Sequence, residues 1–159
     1  MTRLLLLVSA LLLAPLAPLR AQFSITVNGR TTTIPAAEFA ALPHQDVSAF
    51  DAHEKQEHTY SGVPAQALLE KAGVVFGEAL RGKGLRQVVI ARTRDHYAIV
   101  YALAEFDPAF NPRTILVVDR QDGQPLPEHQ APYRLLIPGD KRPARWARML
   151  TGFEVKSVE

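Results

Sequence analysis

No cysteine occurs among the 159 residues. That absence excludes thiol nucleophiles, disulfide staples, zinc–thiolate sites and any cysteine-ligated metal or cluster. An oxidising compartment is tolerated without being exploited. A membrane-spanning run is lacking too. A span takes roughly 20 apolar residues, and the apolar stretch at the start, Leu4 to Leu13, is shorter than that. There is no internal repeat and no low-complexity segment. The Val74 to Gly84 stretch has glycines, but neither the spacing nor the lysine-serine or lysine-threonine ending of a phosphate loop. Ser48, Thr59 and Ser61 have no nucleophile-elbow context, so no catalytic residue is named.

The first residues follow the plan of a secretory signal peptide: a short positive region with Arg3, an apolar core, then small residues and prolines up to Ala21. The expected division is a signal peptide over 1–21 and one domain over 22–159, a length that can bury a real core. Pro15 and Pro18 break any helix that would turn this segment into an uncleaved anchor. The expected location is periplasmic or secreted, with no membrane attachment after cleavage. Of the 18 bases, Arg3 and Arg20 leave with the signal, so the mature chain carries as many bases as its 16 acids. The basic isoelectric point therefore does not argue for a nucleic-acid partner.

The mature chain reads as strands with short helices between them. Phe23 to Val27 alternates, Asn28-Gly29 is a hairpin signal, and Thr31 to Ile34 returns with β-branched residues. Pro35 opens a short helix, Ala36 to Leu42, ended by Pro43. Asp46 to Asp51 reads as a strand with Val47, Ala49 and Asp51 on one face. Thr59 to Ser61 is a further strand, and Ala65 to Ala72 is the clearest helix, stopped by Gly73. Strands are expected over Gln87 to Ala91, Tyr97 to Ala102, Ile115 to Val118 and Phe153 to Val158, with a helical turn at Leu103 to Phe106. The continuous apolar run Ile115 to Val118 suits a strand covered on both faces. Without regular strand–helix alternation, the expected fold class is α+β with mixed β-sheets and short inserted helices.

Two stretches carry candidate chemistry. His53-Glu54-Lys55-Gln56-Glu57-His58 offers two imidazoles and two carboxylates to a borderline metal. The histidines are five apart and not four, so it is not a zincin helix, and an extended chain puts them on opposite faces. A solvated hairpin connection is the expected reading, with no metal site. His96, between two strands, is read as a loop residue and not a base.

The second stretch is Tyr133 to Leu150. A short strand, Leu135 to Ile137, is stopped by Pro138-Gly139; Asp140 is placed to cap the next turn, and Pro143 fits the start of a short helix there. Bases and an indole are thereby held at one strand end. The plainer reading is a solvated basic helix start with Trp146 packed in the core.

The order of these signals resembles the molybdopterin-binding domain of the sulfite oxidase family. The motifs are Leu42-Pro43, Tyr60-Ser61-Gly62-Val63-Pro64 with Leu68 to Val74, Asp95-His96-Tyr97 leading into Tyr101 to Glu105, Asp122 to Leu126, Pro132 to Pro138, and Arg145-Trp146. The resemblance covers about Phe23 to Val158 and is closest to short exported proteins consisting of this domain alone. It implies mixed sheets with a pterin cofactor in a groove held by polar and basic loop side chains. By that reading Arg134, Lys141, Arg142 and Arg145 are the binders of an anionic group, with arginine suited to bidentate contacts, and Trp146 walls the groove.

Two departures matter. The family's aspartate-glycine is Asp95-His96 here, which is expected to alter one turn. The catalytic members bind molybdenum through a cysteine on the segment after the leucine-proline signal; here that segment, Val47 to His53, has none. Asp51 or His53 would be a harder ligand. The leading expectation is a domain that binds an anionic small ligand, the pterin cofactor or a periplasmic partner protein without sulfite oxidase activity. The alternatives are a molybdopterin-dependent oxidoreductase whose molybdenum is held without cysteine, and an accessory subunit of a periplasmic redox complex that docks through Leu135–Ile137 and Tyr97–Tyr101.

Overall fold

The structure is a computed structural model that describes residues 21–140 and 142–159; the expected signal peptide and Lys141 lie outside the described residues, apart from Ala21. In chain order the strands are β1 (Gln22–Val27), β2 (Arg30–Pro35), β3 (Gln45–Asp51), β4 (Gln56–Pro64), β5 (Gln87–Thr93), β6 (Ala98–Ala102), β7 (Leu116–Gln121), β8 (Gln124–Pro125), β9 (Arg134–Leu136) and β10 (Leu150–Ser157). Two short α-helices, α1 (Ala36–Ala41) and α2 (Ala65–Lys71), follow β2 and β4. Single 3₁₀ turns lie at Gly77–Ala79, Gly82–Arg86, Leu103–Phe106 and Pro143–Arg145. The α+β expectation holds.

The strands form two five-stranded sheets. The first runs β2-β1-β10-β5-β6 and is mixed, because β10 lies parallel to β1 and antiparallel to β5. The second runs β3-β4-β7-β8, with β9 also on β7, and all its pairs are antiparallel. Local chemistry explains the hairpins. Asn28 and Gly29 both have positive φ (50° and 78°), which suits a two-residue turn between right-twisted strands, and Asp122 and Gly123 repeat the device between β7 and β8.

One continuous core joins the elements. Phe23, Ile25, Val89, Ala91, Phe153 and Val155 come from the first sheet, and Tyr60, Val63, Leu116, Val117 and Val118 from the second. Phe39 on α1 and Leu68 and Leu69 on α2 complete it. Tyr133 stitches the parts, with its ring 4.5 Å from Phe39 and 5.5 Å from Phe23.

Two glycines set strand approach. A β-carbon on Gly62 would lie 2.3 Å from the Val117 carbonyl oxygen, and one on Gly152 would lie 1.9 Å from that of Ser24. Each sits where the register slips, at Ser61/Gly62 and Leu150/Gly152. The turn at Asp95-His96 is made with His96 itself at φ 65°, so a residue bearing a β-carbon takes the left-handed position.

Candidate functional site

The region begins with the hairpin between β3 and β4. Alternation along β3 turns Asp51 inward, where it is 2% exposed. One oxygen, Oδ1, accepts from the backbone N–H groups of His53 (2.8 Å) and Glu54 (3.3 Å) and so shapes the turn. The other, Oδ2, faces Arg134 Nη1 at 2.9 Å and the Tyr60 hydroxyl at 3.4 Å. Burial alone would push this carboxyl up. The His53 N–H, the Arg134 guanidinium and the Glu54 N–H together overcome that and bring it down to about 2.

Arg134 on β9 is the centre of the region. It is 1% exposed, lies between the rings of Tyr60 (5.3 Å) and Trp146 (5.1 Å), and donates to Gln130 (2.6 Å) and the Tyr60 hydroxyl (2.9 Å). The expectation had Arg134 offering its charge to a ligand; in the structure Asp51 neutralises that charge in the interior.

Trp146 is fastened above that guanidinium. Its backbone N–H bonds the Pro143 carbonyl (2.8 Å), and the following residues are zipped to the chain before and along β9. Leu135 N–H bonds Ala147 O (2.8 Å), Met149 N–H bonds Gln130 O (2.9 Å), and Leu150 N–H bonds Tyr133 O (2.7 Å). On the other side Arg94 N–H bonds Met149 O (2.9 Å). The indole is 5% exposed and its ring N–H is buried with no acceptor among the described residues.

A groove of about 340 Å³ opens beside this segment, lined by His53, Asp95, Tyr97, His129, Pro143 to Met149 without Arg145, and thus by Trp146 and Arg148. The basic segment and the His53 turn therefore meet in space, which local pattern left open. Asp95 is tied within its turn: the Thr93 hydroxyl donates to it and the Tyr97 N–H approaches at 3.3 Å, which lowers its pKa despite some desolvation.

The other expected binders are dispersed. Arg145 donates to Glu105, lies 3.7 Å from Asp140 and stacks on Tyr101 at 5.0 Å, so its charge is matched. Arg142 is exposed and Lys141 lies outside the described residues. Asp140 does not cap the 3₁₀ turn, whose N-cap is Arg142 without a side-chain bond; its carboxylate meets Arg113 at 3.3 Å instead. Of the expected binders that the structure describes, Trp146 both lines the groove and belongs to the core, which joins the two sequence readings. His53, His129 and Arg148 come from separate segments, and only the fold sets them around one space.

The hairpin connection also differs from the expectation. His53 is exposed, but His58 is on β4 and only 6% exposed, with Nδ1 2.6 Å from Asp122 and Nε2 2.8 Å from Glu54. Among the described residues no three His, Asp or Glu side chains are grouped to hold a metal. Leu135, Leu136 and Ile137 are not a docking surface either, being buried to 1% or less. In the other expected docking stretch Tyr101 is buried, while Tyr97 and Val100 are exposed.

Residues 16–159 match the family described as the oxidoreductase molybdopterin binding domain, and the chain belongs to that family. Among solved structures, the sulfane dehydrogenase SoxCD from Paracoccus pantotrophus is similar in fold, with a TM-score of 0.66 at 17% identity. The likeness covers 87% of this chain but only 39% of that one, so this chain spans well under half the length of its structural relative. No curated protein matches.

A molybdenum centre of the thiolate type does not fit the donors present here. Cysteine is absent, and the one buried carboxylate in the Val47 to His53 segment has both oxygens committed.

Proposed function

We propose that this chain is an exported binding domain of the molybdopterin-binding family, holding an anionic ligand in the groove between the His53 turn and the Trp146–Met149 segment, without sulfite-oxidising chemistry. One observation supports it above others. In the Val47 to His53 segment, where the resemblance implies a thiolate in catalytic members, Asp51 is locked to Arg134, yet the groove alongside is lined by Arg148, His53, His129 and Trp146. Arg148 supplies a permanent charge and a planar fork for phosphate or carboxylate. His53 and His129 add ring N–H donors. Trp146, stiffened by Arg134 beneath it, contributes the edge it leaves exposed to the groove wall.

Two measurements test this. The mature protein, purified from the periplasm of a host that makes the molybdenum cofactor, is expected to contain molybdenum far below one per chain; stoichiometric molybdenum with pterin would favour the oxidoreductase alternative. Inorganic phosphate added to the labelled protein should shift the resonances of His53, His129 and Arg148, and Arg148→Gln should weaken that binding by about tenfold, the loss of one charge-assisted contact of roughly 1.5 kcal/mol. Equal binding by the variant removes the groove from consideration.

A further inference from the structure

His58 is a buried imidazole whose two nitrogens both face carboxylates. Asp122, on the turn between β7 and β8, lies 2.6 Å from Nδ1, and Glu54, on the turn between β3 and β4, lies 2.8 Å from Nε2. A neutral ring would set a lone pair against one carboxylate; the imidazolium is hydrogen-bonded to Asp122 through Nδ1 and meets Glu54 as a charge contact, Nε2 having no well-aligned hydrogen bond among the described residues. The Tyr60 ring lies 6.0 Å away on the same strand, with the Asp51–Arg134 pair behind it, and the uncharged Ala49 faces His58 across the strands. Burial disfavours the charge on His58, but Asp122 and then Glu54 outweigh burial and raise its pKa above 6.5.

The two carboxylates are not equally anchored. Asp122 also accepts from the Thr59 N–H at 2.9 Å, and its own N–H bonds the Thr59 carbonyl at 2.7 Å. Glu54 has weaker secondary contacts, and they lead to the groove: its Oε1 lies 3.3 Å from Gln130 Nε2 and 3.9 Å from Nε2 of His129, a groove-lining side chain. Its N–H shares Asp51 Oδ1 with His53, the residue that forms the facing wall. Gln130 in turn holds Arg134 beneath Trp146.

We propose that His58 is a proton-operated latch on the groove: the imidazolium ties Glu54 to the β7–β8 turn and so fixes the wall carrying His53 and His129, and loss of its proton releases Glu54 and loosens that wall. The function of the latch rests on the groove being the binding site, but its existence does not.

The test needs no ligand. In the full-length mature chain labelled with nitrogen-15, the ring nitrogens of His58 and the side-chain amide of Gln130 are followed from pH 5 to 9. The latch requires that His58 titrate above the ordinary histidine range and that the Gln130 amide and Trp146 indole signals move with the same midpoint. Asp122→Asn, which keeps a residue suited to the left-handed turn, should lower that common midpoint by about one pH unit, the removal of a close opposite charge. Glu54→Gln should leave His58 titrating while the Gln130 and Trp146 signals stop following it. A His58 that titrates in the ordinary range, or Gln130 and Trp146 signals indifferent to it, overturns the proposal. Phosphate binding measured at pH 6 and pH 9 then reports separately: a working latch in a protein that takes no phosphate at either pH rejects the groove reading alone.

Discussion

The carboxylate of Asp51 and the guanidinium of Arg134 lie 2.9 Å apart in the interior, joining the first turn of the groove wall to the strand beneath Trp146. Truncating one partner leaves the other charge buried. Asp51→Ala is expected to cost about 3–5 kcal/mol, and the double change Asp51→Leu with Arg134→Met to recover most of it, because two matched apolar side chains leave no orphaned charge. Urea unfolding of the two variants against the parent chain checks this; equal loss in both would mean that hydrogen bonds to Gln130 and Tyr60, and not the charge pair, hold the region.

Stability should fall off on both sides of neutrality for separate reasons. Asp51 has its folded pKa depressed to about 2 from an ordinary 3.8, so its contribution is present above pH 4 and is lost as pH falls from there towards 2. His58 has its folded pKa raised, so its contribution is full below 6.5 and is lost as pH rises through the folded value. Melting temperature plotted from pH 2 to 9 should show both limbs. Asp51→Asn should reduce the acid limb and leave the alkaline one, whereas His58→Gln should remove the alkaline limb and also lessen the acid one, because Asp122 owes its lowered pKa first to His58.

Gly62 and Gly152 should tolerate no side chain. An added methyl at either lies well inside contact distance of a backbone carbonyl in the neighbouring strand, and backbone cannot step aside as a side-chain tip can. Gly62→Ala and Gly152→Ala are each expected to destabilise by about 3 kcal/mol or more, at the upper end of overpacking. Soluble yield and thermal melting report the result, with Gly29→Ala as a comparison, where strain comes from φ alone and nothing lies within 4 Å.

His96→Gly should stabilise the protein. The residue sits at φ 65°, where a β-carbon costs about 1–2 kcal/mol, while glycine adds roughly 0.5–1 kcal/mol of unfolded-chain entropy. The expected net gain is about 0.5–1 kcal/mol, read from the urea midpoint. A loss would show that the imidazole makes contacts worth more than the strain.

Much of the fold was legible in local pattern. The hairpin at Asn28-Gly29, the helix whose Leu68 and Leu69 face inward, the doubly covered run Ile115 to Val118 and the turn at Asp122-Gly123 all depend on residues near one another in the chain. The site was less legible. Arg134 looked like a free base at a strand end because its counter-charge, Asp51, is remote in sequence and reaches it only when β3 and β9 take their places around β4 and β7. His58 looked solvated because its partner Asp122 belongs to another hairpin.

Composition alone determined that no thiolate chemistry is open to this chain, and motif order alone pointed to the family. Which charges are matched and which remain free was decided only by tertiary structure. Burial and pairing depend on side chains brought together from distant segments, and a basic residue carries the same formal charge in the sequence whether it ends beside Asp51 in the core, as Arg134 does, or at the edge of a groove, as Arg148 does.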